Sequence, residues 1–334
     1  MHNPPFTVSV AFVRGMLSGV CARGDSPDAY LASAGIAPDL LHQAAGRVTA
    51  EQYVTLYQVL MQHCEDEALG FLSRPLRYGT IALLMRNALS AVTVDSAVRR
   101  LCRALELMQD DVQIKVTEEG DLTGVRLFVP AAYIPDRLFV HELMLRLLSR
   151  LVVWLHGGRL RPSGFDLAYP CPPQADEYYK LFPGRVNFDQ ACSAVWFPTA
   201  KLRTPLRRDH AALHSFLKQS PRSLVIPTQN DDATSERVRS YLQQVRPAWP
   251  DLPTTAAALN LSGSTLQRHL ATEGTSFQLV KDQLRRDLAI VRLNTSSVQI
   301  AVLASELGFS DQSVFQRAFK TWTGSAPGTY RQRS

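Results

Sequence analysis

A pattern of two short helices joined by a tight turn occurs twice towards the end of this 334-residue chain, at about residues 252–273 and 298–322. In each copy, apolar residues at helical spacing precede a residue suited to left-handed backbone. A hydroxyl that can cap the next helix follows two positions later. The turn residues are Asn260 and Gly308, and the capping hydroxyls are Ser262 and Ser310. The repeat predicts an all-α domain over residues 233–334 with two helix-turn-helix motifs.

The second helix of each copy carries a polar face opposite its apolar stripe. Leu266 and Leu270 form the stripe in the first copy, and Phe315 and Phe319 form it in the second. The polar faces consist of Ser264, Gln267 and Arg268 in the first copy, and of Gln312, Ser313, Gln316 and Arg317 in the second. Arginine bridges guanine O6 and N7, and glutamine bridges adenine N6 and N7. Both faces therefore suit base reading in a DNA major groove.

A solvated polar surface is the alternative explanation for such a face, because short helix pairs are common in proteins that never bind nucleic acid. The presence of two copies, each with a Gln and an Arg at corresponding positions, favours DNA. Thr265, Lys320 and the backbone amides at the helix starts are the predicted phosphate contacts. Double-stranded promoter DNA is the partner that this pattern predicts.

A longer helix is predicted between the two copies, at about residues 276–292. Thr275 and Gln278 have the spacing of a capping box. Apolar residues recur at intervals of three and four, at Phe277, Val280, Leu284, Leu288 and Val291. Such a helix is about 25 Å long at 1.5 Å rise per residue. It is therefore expected to hold the two reading helices roughly one DNA turn, about 34 Å, apart in successive major grooves.

Residues 252–331 resemble the DNA-binding domain of the AraC/XylS family of bacterial transcription regulators. The resemblance is carried by STLQRHLATEGTSFQLVKDQLR at residues 264–285 and by LGFSDQSVFQRAFKTWTGSAPGTYR at residues 307–331. Asn260 and Val302 depart from the family pattern, which commonly has Gly at the first position and an acidic residue at the second. Asn tolerates left-handed backbone, so the first departure leaves the turn intact.

The first 206 residues predict a separate α+β domain. Helical periodicity dominates residues 9–109, after which apolar and polar residues alternate at 112–117 and 124–129, as in a hairpin. A long helix is predicted over residues 136–156, and further strands at 165–169, 185–188 and 194–197. Residues 207–232 are polar and contain Pro221 and Pro227, and thus predict a linker.

This first half is similar to the effector domain of a subgroup of AraC-type regulators, the domain called arabinose-binding by descent. The similarity lies in AGIAPDLL from Ala34, RVTAEQYVTLY from Arg47 and YYKLFPGRVNFDQACSAVWFPTAKLRTPL from Tyr178. The resemblance implies that a small molecule binds here, without identifying it. Arginines at positions 77, 86, 99, 100 and 146 are candidates for a carboxylate ligand, since guanidinium offers a bidentate fork; surface charges are the alternative.

Composition agrees with a soluble DNA-binding protein but does not locate the binding half. The chain has 46% hydrophobic and 20% charged residues, a formal charge of +6 and a pI of about 9.2. From Asp231 onward the sequence has 12 Lys and Arg residues and 9 Asp and Glu residues, so the basic excess is not concentrated in this half. Five cysteines without a CxxC pair favour reduced thiols in a cytoplasm. The apolar segment 139–155 contains four charged or titratable residues and predicts a packed helix rather than a membrane span.

No catalytic or cofactor motif is recognised in the sequence. His210 and His214 have a metal-like spacing, but no third ligand lies nearby, so no metal is expected. GxSxG, HExxH and phosphate-binding Gly loops are absent from the sequence. An enzyme fused to a DNA-binding domain is therefore the weakest of the functional alternatives.

Together these features predict a regulator that binds DNA sequence-specifically and responds to a small metabolite, in the manner of an activator. The alternative is a constitutive DNA-binding protein whose first half serves dimerisation or a protein partner. RNA polymerase and a second copy of the chain are further expected partners, no membrane is expected, and the expected location is the cytoplasm, at the nucleoid.

Overall fold

The structure of the chain is a computed structural model, which describes residues 5–130, 134–158, 160–218 and 233–331. Contacts divide the chain into two compact units. The N-terminal unit comprises Phe12–Ser33 and Val54–Pro227. The C-terminal unit comprises Met1–Ala11, Ala34–Tyr53 and Thr228–Ser334. Two short pieces from the start of the chain therefore fold with its last hundred residues.

The helices in chain order are α1 (Val10–Ala22), α2 (Asp28–Ser33), α3 (Ala50–Cys64), α4 (Thr80–Ala88), α5 (Val94–Met108), α6 (Arg137–Leu155), α7 (Tyr178–Leu181), α8 (Thr199–Leu202), α9 (His210–Lys218), α10 (Thr234–Gln244), α11 (Leu252–Ala258), α12 (Gly263–Thr272), α13 (Phe277–Thr295), α14 (Ile300–Glu306) and α15 (Gln312–Thr323). Short 3-10 turns occur at Pro38–His42, Ala175–Glu177 and Pro327–Tyr330.

The strands are β1 (Thr7–Ser9), β2 (Arg47–Thr49), β3 (Gln113–Glu119), β4 (Leu122–Phe128), β5 (Gly164–Asp166), β6 (Arg185–Asn187) and β7 (Ser193–Pro198). Strands β3 to β7 form a five-stranded sheet in the order β3-β4-β7-β5-β6, antiparallel except for the β5-β6 pair. Strands β1 and β2 pair separately and antiparallel. The predicted α+β first half and all-α second half are confirmed, and β1 and β2 are additions that the sequence did not predict.

The sheet of the N-terminal unit has one apolar face because side chains alternate along each strand. Val125 pairs with Val116 on one side and with Val195 on the other, and Val195 also pairs with Phe165. Val125, Val195 and Phe165 are buried, as are most of the apolar residues of α6. On the opposite face the Arg126 guanidinium lies 5.3 Å from the Trp196 ring centroid. The predicted hairpin and the predicted long helix are both present.

The long helix α6 is buried along most of its length and begins at a side-chain cap. The Asp136 carboxylate accepts the Phe139 backbone N–H at 3.0 Å, and the helix ends at Leu155, with His156 as its C-cap. Across the described ranges of the chain, no helix combines the length and the apolarity needed to cross a bilayer. Of the predicted linker, residues 219–232 lie outside the described residues, and α9 precedes them.

In the C-terminal unit the strand pair β1-β2 packs on the long helix α13. The carboxylate of Asp287, on α13, is fully buried and accepts the Thr7 hydroxyl at 2.5 Å and an N–H of Arg239 at 2.7 Å. Arg47 of β2 donates to the Thr7 hydroxyl at 2.7 Å and to the Thr7 carbonyl at 2.8 Å. The Tyr330 hydroxyl accepts the Arg47 backbone N–H at 3.1 Å. These bonds join the beginning of the chain to its end.

Candidate functional site

The first helix-turn-helix motif consists of α11 and α12. Asn260 takes the predicted left-handed conformation between them, with φ 58°. Ser262 caps α12, as predicted, by accepting the Thr265 backbone N–H at 3.1 Å. Leu266 and Leu270 are fully buried, so the opposite side of α12 faces solvent. On that side the predicted base contacts are all exposed: Ser264, Gln267 and Arg268.

The second motif consists of α14 and α15, and its helix cap differs from the prediction. Gly308 takes the left-handed turn, with φ 72°. The cap is Asp311 rather than Ser310: the Asp311 carboxylate accepts the Val314 backbone N–H at 2.9 Å. A carboxylate is favoured at this position because the helix dipole places partial positive charge there. The same hydrogen bond holds the pKa of Asp311 below its usual value.

With Asp311 as the cap, the two reading helices correspond residue by residue. Gln267 and Arg268 are the fifth and sixth residues after Ser262, and Gln316 and Arg317 are the fifth and sixth after Asp311. Both pairs are exposed, and so are Gln312 and Ser313. Phe315 and Phe319 are fully buried beneath them. The motifs thus present the same Gln-Arg pair at the same height of equivalent helices.

The predicted phosphate contacts are placed differently from one another. Lys320 is exposed on α15, one turn beyond the Gln-Arg pair. Thr265 is partly buried, and its hydroxyl lies 2.8 Å from the Ser262 hydroxyl. The backbone amides of Thr265 and Val314 donate to the helix caps, and the Ser313 amide also bonds to the Asp311 carboxylate.

The helix between the motifs is longer than predicted and has another cap. It runs over Phe277–Thr295, 19 residues, instead of 276–292. The Ser276 hydroxyl accepts the Leu279 backbone N–H at 3.2 Å, so Ser276 is the cap and the predicted Thr275-Gln278 capping box is not formed. Gln278 instead donates to Asp282 one turn later. Phe277, Val280, Leu284 and Leu288 are buried as the periodicity predicts, whereas Val291, the last residue of the predicted stripe, is only half-buried.

The N-terminal unit contains a buried polar cluster centred on Glu142 of α6. The Tyr178 hydroxyl donates to the Glu142 carboxylate, and the Tyr169 hydroxyl lies 3.3 Å from that of Tyr178. Burial raises the pKa of Glu142 to about 8. Burial lowers the pKa of the neighbouring His141 to about 4, so that imidazole is neutral at pH 7. Its Nδ1 has no hydrogen-bond partner among the residues that the structure describes.

Among the arginine candidates for a ligand carboxylate, position 146 is the one that the structure places inside the unit. Arg146 is buried on α6, one turn from Glu142. The arginines at 77, 86, 99 and 100 are exposed, and Arg99 pairs with Asp95 and Glu118. The Glu142 carboxyl group and the Arg146 guanidinium thus lie one turn apart on one face of α6. Sequence periodicity missed Glu142, although its place on a helix of high apolar content was the available signal.

A narrow cavity lies on another face of α6. Tyr57 and Glu67 are the polar residues of its lining. The apolar residues of the lining are Leu76, Ile81, Leu143, Met144 and Leu147. Its free space admits only a water-sized group. A metabolite would therefore need side-chain rearrangement to enter there.

The candidate metal ligands are not assembled by the fold. His210 and His214 are both exposed on α9. Within the described portions of the chain, no three His, Cys, Asp or Glu side chains are grouped to hold a metal ion.

Two family models match the chain. The model described as the arabinose-binding domain of AraC transcription regulators, N-terminal, covers residues 24–206. A helix-turn-helix domain model covers residues 255–333. The first match spans more than half of the chain.

Similar proteins are transcription regulators. The ornithine utilization regulator of Pseudomonas aeruginosa is 28% identical over 97% of this chain and 96% of its own length. The regulator VirS of Mycobacterium tuberculosis is 23% identical, over 92% of this chain and 91% of its own. The crystal structure of the regulator CdpR from Pseudomonas aeruginosa shares 23% identity over 92% of this chain and 96% of that one, with a TM-score of 0.32. On the two family matches, the chain belongs to the AraC family of transcription regulators, with an arabinose-binding-type N-terminal domain and a helix-turn-helix DNA-binding domain.

Proposed function

We propose that this regulator reads two segments of promoter DNA with α12 and α15 and that a small metabolite, bound in the N-terminal unit, changes that binding. The observation that carries the proposal is the equivalent exposure of Gln267-Arg268 and Gln316-Arg317 on the two helices. Side chains of this kind at the start of an exposed helix are suited to base edges in a major groove. Ser264, Gln312 and Ser313 are secondary base contacts in this proposal, and Thr265 and Lys320 contact phosphate.

Selection from a random-sequence duplex library tests the DNA-reading part. The full chain at low salt is expected to enrich sequences in which two conserved segments lie about 10 base pairs apart, and footprinting is expected to show protection on one side of the duplex. Binding should weaken steeply with salt, because phosphate contacts release counterions. Failure to enrich any sequence over a non-specific duplex would contradict the proposal.

The Glu142 cluster is the part of the N-terminal unit that we assign to the effector. Burial alone keeps the Glu142 carboxyl group largely protonated at pH 7, and an ammonium beside it would favour the ionised form and pair with it. The buried Arg146 guanidinium suits a carboxylate, so the proposed effector class is amino-acid-like. The ornithine utilization regulator is a relative over nearly the full chain, which makes basic amino acids the first compounds to test.

An effector of this class is expected to stabilise the chain. A compound at 100 times its dissociation constant contributes about 2.7 kcal/mol, which corresponds to a rise in melting temperature on the order of 5 to 10 °C. A panel of ornithine, lysine, arginine and neutral amino acids, measured by thermal shift, identifies such a compound. Glu142→Gln is expected to remove the shift, and Glu118→Gln, at an exposed ion pair with Arg99 and Arg203, is expected to keep it.

The thermal-shift panel also separates this proposal from a constitutive regulator, whose N-terminal unit would serve only dimerisation or a protein partner. A shift that survives in Glu142→Gln would place the effector elsewhere in the chain. No shift with any compound, together with unchanged DNA binding, would favour the constitutive alternative. Activation through RNA polymerase, a homodimer, the absence of enzymatic activity and a cytoplasmic location at the nucleoid belong to the same proposal.

A further inference from the structure

Trp249 connects the two helix-turn-helix motifs of the C-terminal unit. It lies just before Asp251, whose carboxylate caps α11 by accepting the Thr254 backbone N–H at 3.0 Å. The Trp249 indole N–H donates to the Glu306 carbonyl at the end of α14, at 3.1 Å. A Cβ placed on Gly308 would lie 2.5 Å from the Trp249 ring. The residue before the first motif is thus packed on the turn of the second.

Arg285 of α13 completes this contact by lying between two aromatic rings. Its guanidinium carbon is 4.8 Å from the Trp249 ring centroid and 4.9 Å from that of Phe309. The Arg285 side chain is 12% exposed. It also donates an N–H to the Gly308 carbonyl at 3.4 Å. A planar, weakly hydrated guanidinium between two ring faces is favourable, and each such contact is worth more when water is excluded.

The contact continues from Arg285 into both reading helices. Phe309 lies 5.5 Å from Phe315 and 5.9 Å from Trp322, both on α15, measured between ring centroids. On the other side, Leu252, three residues after Trp249, approaches the start of α12 so closely that a Cβ on Gly263 would lie 3.1 Å from it. Side-chain contacts therefore run from Trp249 to α15, and the backbone from Trp249 to Leu252 connects them to the start of α12.

A spacer helix by itself does not fix two motifs, because each is joined to it by non-helical residues. Residues 273–276 separate α12 from α13, and residues 296–299 separate α13 from α14. Their backbone torsions permit each motif to rotate on its junction unless side chains restrain it. Lys281 adds a restraint on the first motif by donating to the Trp249 carbonyl at 2.9 Å and the Pro250 carbonyl at 3.0 Å.

We propose that Trp249, Arg285 and Phe309 form a bracket that sets the distance and rotation between α12 and α15, and thereby determines the spacing of DNA segments that the chain accepts. Arg285 is a positioning residue in this bracket and contacts no base. The inference rests on the proposed DNA-reading function and deepens it. It assigns spacing specificity to residues outside the two reading helices.

Binding to duplexes of altered spacing tests the bracket in the full chain. The probe is a duplex selected by the wild-type chain, together with versions that carry one or two extra base pairs between the two protected segments. One extra base pair rotates the second segment by about 34° and shifts it by about 3.4 Å. The wild-type chain is expected to lose about tenfold or more in affinity, as for a mismatched contact. Arg285→Met and Trp249→Leu are expected to reduce that penalty to about threefold or less.

Two milder variants and one control complete the measurement. Arg285→Lys keeps the charge and the stem but loses the planar stack, and Trp249→Phe keeps a ring but loses the N–H that bonds to Glu306. Both are expected to give intermediate penalties, and melting temperatures establish that each variant is folded before binding is measured. Arg292 lies on α13, as Arg285 does, and forms an exposed ion pair with Glu306 of α14; Arg292→Met removes this pair and is expected to keep the wild-type penalty.

The outcomes distinguish the bracket from the DNA-reading proposal. An unchanged spacing penalty in folded Arg285→Lys and Trp249→Phe chains would overturn the bracket while leaving sequence-specific binding intact. If the wild-type chain selects no duplex, the DNA-reading proposal fails, and the bracket fails with it. A penalty that falls equally in Arg292→Met would show a general loosening of the unit and would also overturn the role of Arg285.

Discussion

Replacing Asp287 with asparagine is expected to destabilise the C-terminal unit by about 3 to 5 kcal/mol, because the change leaves buried guanidinium groups without their counter-charge. The Asp287 side chain is 0% exposed, and Arg239, Arg286 and Arg47 lie 2.7, 3.4 and 4.0 Å from its oxygens. Thr7 adds a hydrogen bond at 2.5 Å. Hydrogen exchange of peptides from α13 in the full chain measures the loss for this unit directly.

A double-mutant cycle shows whether the beginning of the chain shares in this stability. Arg47→Met removes a residue 240 positions before Asp287, yet it is expected to destabilise α13 as well, through Thr7 and the shared carboxylate. The combined variant is expected to lose clearly less than the sum of the single losses, since both changes disrupt one network. Glu306→Gln, at an exposed ion pair with Arg292, serves as the control and should change stability by less than about 1 kcal/mol. Additive losses for Asp287 and Arg47 would show that the strand pair does not support α13.

The helix-turn-helix motifs were predictable because their determinants are local. Apolar spacing placed Leu266, Leu270, Phe315 and Phe319 inward, and Asn260 and Gly308 take the turns that their backbone freedom suggested. The error at the second cap came from choosing between adjacent residues, Ser310 and Asp311, which are both good caps. Geometry decides this choice, since only one of the two carries its side-chain oxygen to the Val314 amide.

The strand pair β1-β2 was not predictable from the same patterns. Each strand has three residues, and about forty residues separate them, so no turn signal marks a hairpin. The strands are instead held by Asp287, whose partners Thr7 and Arg47 lie far away in sequence. One local signal existed: Asp287 falls three residues after Leu284, on the inward stripe of α13. An acidic residue at an inward position indicates a buried partner, although the sequence does not say which.

The residues that orient the site were harder to predict than those proposed to contact DNA. Gln267, Arg268, Gln316 and Arg317 belong to two equivalent helices, and a repeated pattern in the sequence identifies them. Trp249 precedes the first motif, outside the repeated pattern. Arg285 lies on the spacer helix α13, where an arginine is ordinarily a solvated residue. Their contact requires three segments to meet at Gly308. Periodicity within one segment carries no information about such a meeting.

Replacing Arg268 or Arg317 with alanine is expected to weaken binding to the selected duplex by about 1 to 3 kcal/mol and to relax base preference at one position each. Each guanidinium is exposed and occupies the sixth position after its helix cap. Because the two arginines lie in separate motifs, the alanine variants are expected to relax preference in different segments of the duplex. Competition assays with duplexes substituted at single base pairs measure this for each variant.

Lys320→Ala provides the contrast that separates base reading from general attraction. Lys320 lies on the same helix as Arg317, but its ammonium is proposed to contact phosphate. Its loss should therefore weaken binding to all duplexes about equally. It should also reduce the slope of log affinity against log salt concentration by about one released counterion. Arg292→Ala, on α13, is expected to leave base preference unchanged. If Arg268→Ala and Arg317→Ala weakened cognate and scrambled duplexes to the same extent, both arginines would act as phosphate contacts. Sequence specificity would then have to arise from Gln267 and Gln316 or from DNA shape.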